Sequence, residues 1–302
     1  MEIRHLELLR ELAVRGTLAE VAAATYRTPS ALSQQIRTAE RDLGVKLVEP
    51  DGRRLRLTAA GQVLADGADE VCLAMAELRA RMDRITGDPV GQVTIGSVPS
   101  AAEALLPGLY GRLKHTGITL DLADFDLAEA DYAPRTLDVD IVIGHTLTGD
   151  VPLGADRLVT TVVAREPIDV ALPADHPLAA HDVLSPADLV GTTWVSVPEG
   201  YPFDSILVAL ERLAGQRLER SARVRDNRVV ESLVVAGLGL ALLPRFTTRP
   251  RPGLVTRPLT GVRADRAVVA MCRPDRYARA AVKLTVDCLA DVGGDLSSPA
   301  TA

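Results

Sequence analysis

Residues Thr28–Glu40 read TPSALSQQIRTAE, and their pattern decides how the first part of the chain folds. Thr28 can accept from the free amides of a first helical turn, and Pro29 suits the first helical position. Ser30, Ser33, Gln34, Arg37 and Arg41 then fall at i, i+3, i+4, i+7 and i+11, one outward stripe, with Leu32, Ile36 and Leu43 opposite. A merely solvated helix would alternate acids and bases there. Hydroxyls that donate or accept, a Gln34 able to bond adenine bidentately, and arginines that reach guanine or phosphate suit the major groove of double-stranded DNA instead.

The residues before this helix support it. Ile3, Leu6, Leu9, Leu12 and Ala13 repeat at helical spacing and stop at Gly16, while Thr17 caps a second helix whose Ala22 and Ala23 allow a close crossing. A helix, a tight turn and a second helix with small residues at the crossing form a helix-turn-helix. Behind it, VKLVEPDGRRLRLT (residues 45–58) centres on Asp51-Gly52, a strong hairpin signal. Leu55 and Leu57 share one face, Arg54 and Arg56 the other, and Arg53 sits near the tip, as a wing that touches phosphates requires. The candidate DNA-binding residues are therefore Thr28, Pro29, Ser30, Ser33, Gln34, Arg37, Arg41, Arg53, Arg54 and Arg56.

Charge supports that placement. The chain of 302 residues carries a formal −6, yet residues 1–58 hold ten basic against eight acidic side chains and the remainder 24 against 32. The opening segment is the basic part of an acidic protein. Three cysteines without a CxxC pair suit a reducing compartment, and five scattered histidines give no metal site. The charged N-terminus lacks a signal peptide's apolar core and no apolar run reaches spanning length, so a soluble, cytoplasmic protein without a membrane partner is expected.

From Thr58 to about Ile85 the pattern predicts one long helix. Leu64, Ala68, Val71, Met75, Leu78, Met82 and Ile85 alternate spacings of four and three, the seam of a coiled coil, which marks Leu64, Val71, Met75, Leu78 and Met82 for dimerisation. Thr86–Gly91 ends it. Beyond lie short β-rich runs alternating with helices, among them QVTIGS, ITLDLAD, VDIVIG, DRLVTTVVA, IDVALP, TTWVSV, SARVR, LALLP and RAVVAMC, which predict α/β units with mainly parallel sheets. Ser100–Glu103 reads as a capping box, Gly237-Leu-Gly239 as a helix end, and residues 293–302 as a disordered tail. No GxSxG elbow, P-loop or acid pair is present, so no catalytic residue is named.

These runs carry a resemblance. LELLRELAVRGTLAEVAAA, TPSALSQQIRTAERDLGVKL and GRRLRLTAAGQVL resemble the DNA-binding domain of LysR-type transcriptional regulators, and IGSVPSAAEALLP, VDIVIG and ESLVVAGLGLALLP are similar to their effector-binding domain. The resemblance implies an α/β protein with an N-terminal all-α winged helix-turn-helix (1–58), a long linker and dimerisation helix (59–87) and a two-subdomain, periplasmic-binding-protein-like effector domain (92–292). Subdomain I would take about 92–163 and 266–292, subdomain II about 164–265. It further implies a homodimer or homotetramer on promoter DNA, with RNA polymerase as a candidate partner and a small-molecule effector in the cleft. Ser97, Pro99, Ser100, His145, Thr146, Tyr201 and Phe203 fall on loops that could converge there. A helix start near Ser100, and His145 if protonated, favour an anion, an amino acid or organic acid. Val48, Pro50, Thr25 and Arg27 depart from the family pattern. Two alternatives remain: an α/β enzyme regulated by an N-terminal DNA-binding domain, and a DNA-binding oligomer that needs no ligand.

Overall fold

The computed structural model describes residues 1–52, 54–125 and 128–297, which fall into two units. One comprises Met1–Pro89 with Arg273–Lys283, the other Val90–Cys272 with the chain from Leu284. Arg53, at the hairpin tip, lies outside the described residues.

In the first unit, helices α1 (Ile3–Arg15), α2 (Leu18–Thr25) and α3 (Pro29–Leu43) bury Leu8, Leu12, Val21, Ala22, Leu32 and Ile36 together. Thr17 and Thr28 cap α2 and α3, accepting from the amides of Glu20 and Ala31 at 3.1 and 3.2 Å. Strands β1 (Val48–Asp51) and β2 (Arg54–Leu57) form the expected hairpin, with Leu55 and Leu57 against the core and Arg54 and Arg56 exposed. The two unusual polar residues of the turn are satisfied internally. Thr25 donates to the Val21 carbonyl at 2.7 Å, and Arg27 donates to Gln35 Oε1 at 2.7 Å. Val48 packs on the same core as the wing leucines, while Pro50 is exposed.

Helix α4 (Ala59–Thr86) follows, capped by Thr58. Gly61 is a weak helix former with a use of its own: a Cβ there would lie 2.1 Å from the Leu47 carbonyl oxygen, so only glycine lets the first turn lie against that backbone. The seam expected along α4 divides. Ala68 is fully buried, and Leu64 packs with Leu9, Ala39, Leu47 and Ala65 in the chain's own core. Leu64 is therefore core rather than seam, because α1 lies against this half of the helix. Met75 is half-buried, whereas Val71, Leu78, Met82 and Ile85 remain 41, 48, 62 and 85% exposed.

In the second unit the chain runs β3 (Val90–Ser97), α5 (Pro99–Leu113), β4 (Gly117–Asp124), α6 (Tyr132–Arg135), β5 (Ile141–Thr146), β6 (Val159–Pro173), β7 (Thr193–Ser196), α7 (Pro202–Ala214), β8 (Glu219–Arg223), α8 (Asn227–Val235), β9 (Ala241–Pro244), β10 (Leu254–Arg257), β11 (Asp265–Cys272), α9 (Pro274–Tyr277) and α10 (Ala280–Ser297). The main sheet is mixed, not mainly parallel. Its order is β10-β6-β11-β5-β3-β4, with β9 also on β6; only β3–β4 and β3–β5 are parallel in it. The difference traces to β6. DRLVTTVVA and IDVALP read as two strands because Pro167 stands between them, yet they form one 15-residue strand. Its first half pairs with β11 and its second with β9 and β10, all antiparallel, so a single strand serves both halves of the unit. Pro167 sits at the changeover, where it leaves its carbonyl to accept from the Arg245 amide at 2.9 Å. One half packs around Trp194, Phe203, Ile206, Leu207 and Leu240, and β7 and β8 pair in parallel beside it.

Two expectations fail for identifiable reasons. Ser100 and Glu103 make no capping box: Pro99 starts α5 one residue earlier, the N-cap is Val98, and no side chain caps it. Residues 293–297 are not a tail but the end of α10, and 298–302 lie outside the described residues. Gly293 explains the helix's position, since a Cβ there would lie 1.8 Å from the Val163 carbonyl oxygen, whereas beside Gly294 there is open space.

Adjacent glycines therefore predict opposite effects. Gly293→Ala should lower unfolding stability by about 1–3 kcal/mol through overpacking, whereas Gly294→Ala should raise it by roughly 0.5–1 kcal/mol through helix propensity. Urea unfolding of the two variants compares them directly, and equal shifts would show that α10 does not lie against β6.

Candidate nucleic-acid interface and ligand cleft

The outer face of α3 carries the expected side chains. Thr28, Pro29, Ser30, Gln34, Arg37 and Arg41 are exposed and Ser33 is half-buried. Several are already engaged. Thr28 caps the helix and shares a hydrogen bond with Ser30 at 3.1 Å, and Gln34 Oε1 accepts from Arg37 at 3.0 Å. The Gln34 oxygen has a second lone pair, so it can accept from an adenine amino group beside Arg37. On the wing Arg54 is exposed, while Arg56 pairs with Glu49 directly across the hairpin. The inner face is fixed by polar contacts: Glu40 accepts from Lys46 Nζ at 2.9 Å and the Leu47 amide at 3.0 Å. Burial alone would raise the Glu40 pKa, but these donors hold it below the usual carboxylate value.

Tyr26 carries no signal in the sequence. It closes α2 with φ 53°, the only described non-glycine residue at positive φ, and it is 98% exposed. Backbone of this kind costs roughly 1–2 kcal/mol in an L-residue. A tyrosine in a turn does not announce that strain.

The cleft of the second unit is a cavity of about 300 Å³ lined from three helix starts: Val98, Pro99 and Ser100 at α5, Tyr201, Pro202 and Phe203 at α7, and Asp226, Asn227 and Arg228 at α8. Asp226 caps α8, accepting from the Arg228 and Val229 amides at 2.7 and 3.3 Å. Neither α5 nor α7 has a side-chain cap, so the positive ends of two helices face the cavity uncovered.

At its wall stands Arg266, 1% exposed. Its Nε and Nη2 meet Glu166 Oε2 at 2.8 and 2.7 Å, Nη2 also donates to Thr247 Oγ1 and Nη1 to Ser100 Oγ, both at 3.1 Å. A guanidinium has five N–H donors, so one hydrogen on Nη1 is left over. Phe203 lies 6.0 Å from this cation and 5.6 Å from the His145 ring. Also in the lining, Arg228 pairs with Glu103 and reaches Glu231 at 3.0 Å, while Arg225 lies 5.0 Å over the Tyr201 ring.

Of the seven residues proposed from sequence, Pro99, Ser100, His145, Tyr201 and Phe203 line the cavity. Ser97 and Thr146 do not. Both are buried, the Ser97 hydroxyl donating to the Val98 carbonyl at 3.1 Å and Thr146 bonding Thr148 at 3.2 Å. Alternation along a strand accounts for this, because neighbours face opposite sides of the sheet. His145 is also not the cation that an anion site would want. Burial first, then the nearby Arg266 charge, pushes its pKa down to about 3. Arg225, Arg228, Glu231, Thr247 and Arg266 escape a reading of the sequence, since only the packing of segments far apart in the chain brings them to one cavity.

Among the described residues no group of His, Cys, Asp or Glu could hold a metal ion, and no helix is long and apolar enough to cross a membrane. Burial pushes the thiols of Cys72 and Cys288 up and that of Cys272 up to about 12, which favours the protonated form at neutral pH.

Comparison with known proteins assigns both units. Residues 3–62 match the family described as "Bacterial regulatory helix-turn-helix protein, lysR family", and residues 86–294 match "LysR substrate binding domain". The transcriptional dual regulator GltC of Bacillus subtilis is 29% identical over 83% of this chain and 84% of its own. The HTH-type transcriptional regulator ShiR of Corynebacterium glutamicum is 32% identical over 86% of each. Among solved structures, a full-length OxyR variant from Pseudomonas aeruginosa superposes with a TM-score of 0.69 at 20% identity, covering 97% of this chain and 94% of that one.

The buried imidazole gives a test of the cleft's geometry. The folded pKa of His145 lies below its ordinary 6.5, so the unfolded chain takes up the proton first as pH falls. This group costs nothing above about pH 6.5 and progressively subtracts stability from there toward about pH 3. Nitrogen-15 shifts of the His145 ring should stay those of neutral imidazole on acidification to pH 5, and a midpoint near 6.5 would mean the ring is open to water.

Proposed function

The chain belongs to the LysR family of transcriptional regulators, and from that premise we propose how it reads DNA and what it senses. It is a DNA-binding transcriptional regulator with an effector-binding domain, and it is not an enzyme. In the proposed mode α3 enters the major groove, with Ser33, Gln34 and Arg37 at base edges. Arg41, Arg53, Arg54 and Arg56 meet phosphates, and Tyr26 stands at the groove's edge, where its strained backbone is offset by contact with DNA. Thr28, Pro29 and Ser30 set the start of the reading helix. The protein works in the cytoplasm, where promoter DNA is accessible, and RNA polymerase is the next partner at the promoter.

We further propose a homodimer or homotetramer joined through Val71, Met75, Leu78 and Met82. The reason is that Val71, Leu78 and Met82 stay exposed in a single chain, on one stripe of α4 with the half-buried Met75. The small-molecule effector occupies the cleft and carries a carboxylate. The observation that carries this reading is the convergence of two uncapped helix starts on a buried arginine with an N–H to spare. Pro99, Ser100, His145, Tyr201 and Phe203 contact the ligand, with Arg266 as its anchor. Closure of the cleft then changes the geometry of the oligomer and moves the paired reading heads.

Footprinting and binding titrations test the DNA side. Ser33→Ala and Gln34→Ala should each cost about 1–3 kcal/mol on the cognate site and little on random DNA. Arg54→Ala should weaken both alike and flatten the dependence of affinity on salt by about 0.9 in log-log slope for each phosphate that is no longer neutralised. Weakening confined to the cognate site would make Arg54 a base-reading residue instead.

Sedimentation tests the assembly. Leu78→Asp with Met82→Asp places two charges per chain in the proposed seam and should yield monomers that protect no pair of half-sites. A double variant that sediments like the wild type would place the dimer interface elsewhere.

A further inference from the structure

Among the described residues the charges around the cleft balance. Its lining carries Arg225, Arg228 and Arg266 against Glu103, Asp226 and Glu231, three of each sign, and His145 is held neutral. The groups just behind the wall keep the balance, with Glu166 on Arg266 and Arg249 on Glu103 at 3.0 Å. A ligand with net negative charge would therefore enter a partly desolvated site that has no net positive charge to meet it.

The unused hydrogen-bonding capacity is of both kinds and comes from different elements. Donors are left on β11, where Arg266 keeps one N–H, and at the starts of α5 and α7, which have no side-chain cap. Acceptor capacity is left on α8. Glu231 is 3% exposed, and among the described residues both its oxygens accept only from Arg228 Nη1, at 3.0 and 3.1 Å. A carboxylate offers about four lone-pair sites, so a buried one with a single donor has capacity left. Glu103, beside the same arginine, lines the cavity with it.

We infer that the effector is a zwitterion, an α-amino acid with an uncharged side chain, its carboxylate at Arg266, Ser100 and the helix starts and its ammonium at Glu231 and Glu103. The inference rests on the reading of this cavity as the effector site and narrows it. Three ammonium donors suit the acceptor capacity left on Glu231 and on Glu103, whereas a plain organic acid gives them no new partner. Val98, Val197 and Phe203 then receive the side chain.

The test is calorimetry on the full-length protein with the uncharged proteinogenic L-amino acids, each beside its des-amino acid. At least one amino acid should bind about 10- to 100-fold more tightly than its des-amino partner, the loss expected when a charged hydrogen bond goes unmade. Glu231→Gln should erase most of that preference, while Ser100→Ala should weaken both members of the pair alike. Circular dichroism and ligand-free DNA binding show whether each variant folds, and if Glu231→Gln does not, the wild-type pairs decide alone. A des-amino acid that binds as tightly as its amino acid, or a preference that survives in folded Glu231→Gln, overturns the zwitterion and leaves the carboxylate cleft standing. A cleft that binds no carboxylate of either kind overturns the effector site itself, and the inference with it.

Discussion

The ligand-facing part of the molecule depends on one buried ion pair. Arg266 and Glu166 are 1% and 2% exposed, and removing two charges from water costs several kcal/mol for each. That cost is recovered only when nearly every donor and acceptor is used. Glu166 Oε1 accepts from the amides of Phe246 and Thr247 at 2.6 Å each, while Oε2 takes Arg266. Arg266 in turn holds Ser100 and Thr247. One pair thus sets the relative positions of β6, β11, the start of α5 and the loop after β9, the elements that wall the cleft. Losing either partner would strand a charge and release four segments together.

The same logic of internal satisfaction shapes the reading head. Polar side chains on the inner side of α3 are spent within the domain: Gln35 on Arg27 and Arg4, Glu40 on Lys46 and Leu47. Those on the outer side bond one another at short range, Thr28 with Ser30 and Gln34 with Arg37, and DNA can replace these partners at little cost. The helix is held rigidly from behind and is adaptable in front. Tyr26 belongs to this arrangement, because its side chain stands exposed on left-handed backbone while its amide donates to the Ala22 carbonyl.

Charge is divided between the units to match. The basic surplus sits in the first 58 residues and the acidic surplus in the rest. An acidic effector domain is repelled by phosphate, so DNA is approached by the reading head and not by the remainder. Within the cleft the balance is finer, with three arginines and three acids among the described lining residues, which suits orientation of a ligand more than capture of bulk charge.

Local pattern alone determined a good part of this molecule. The caps at Thr17 and Thr28, the wing at Asp51-Gly52, the outward stripe of α3 and the length of α4 were legible because each depends on residues within a few positions. Quoted runs also carried the family. What failed depended on partners far away in sequence. Whether β6 is one strand or two was decided by β11, β9 and β10; whether Leu64 faces a partner or its own core was decided by α1; and position 293 takes glycine because a strand backbone leaves no room there for a larger residue. The candidate cleft divided along the same line. The helix start near Ser100 was visible and Phe203 read as loop, but Arg266, Glu231 and the neutrality of His145 were not legible. A pKa and a spare donor are properties of burial and of neighbours, and only the tertiary structure brings those neighbours together.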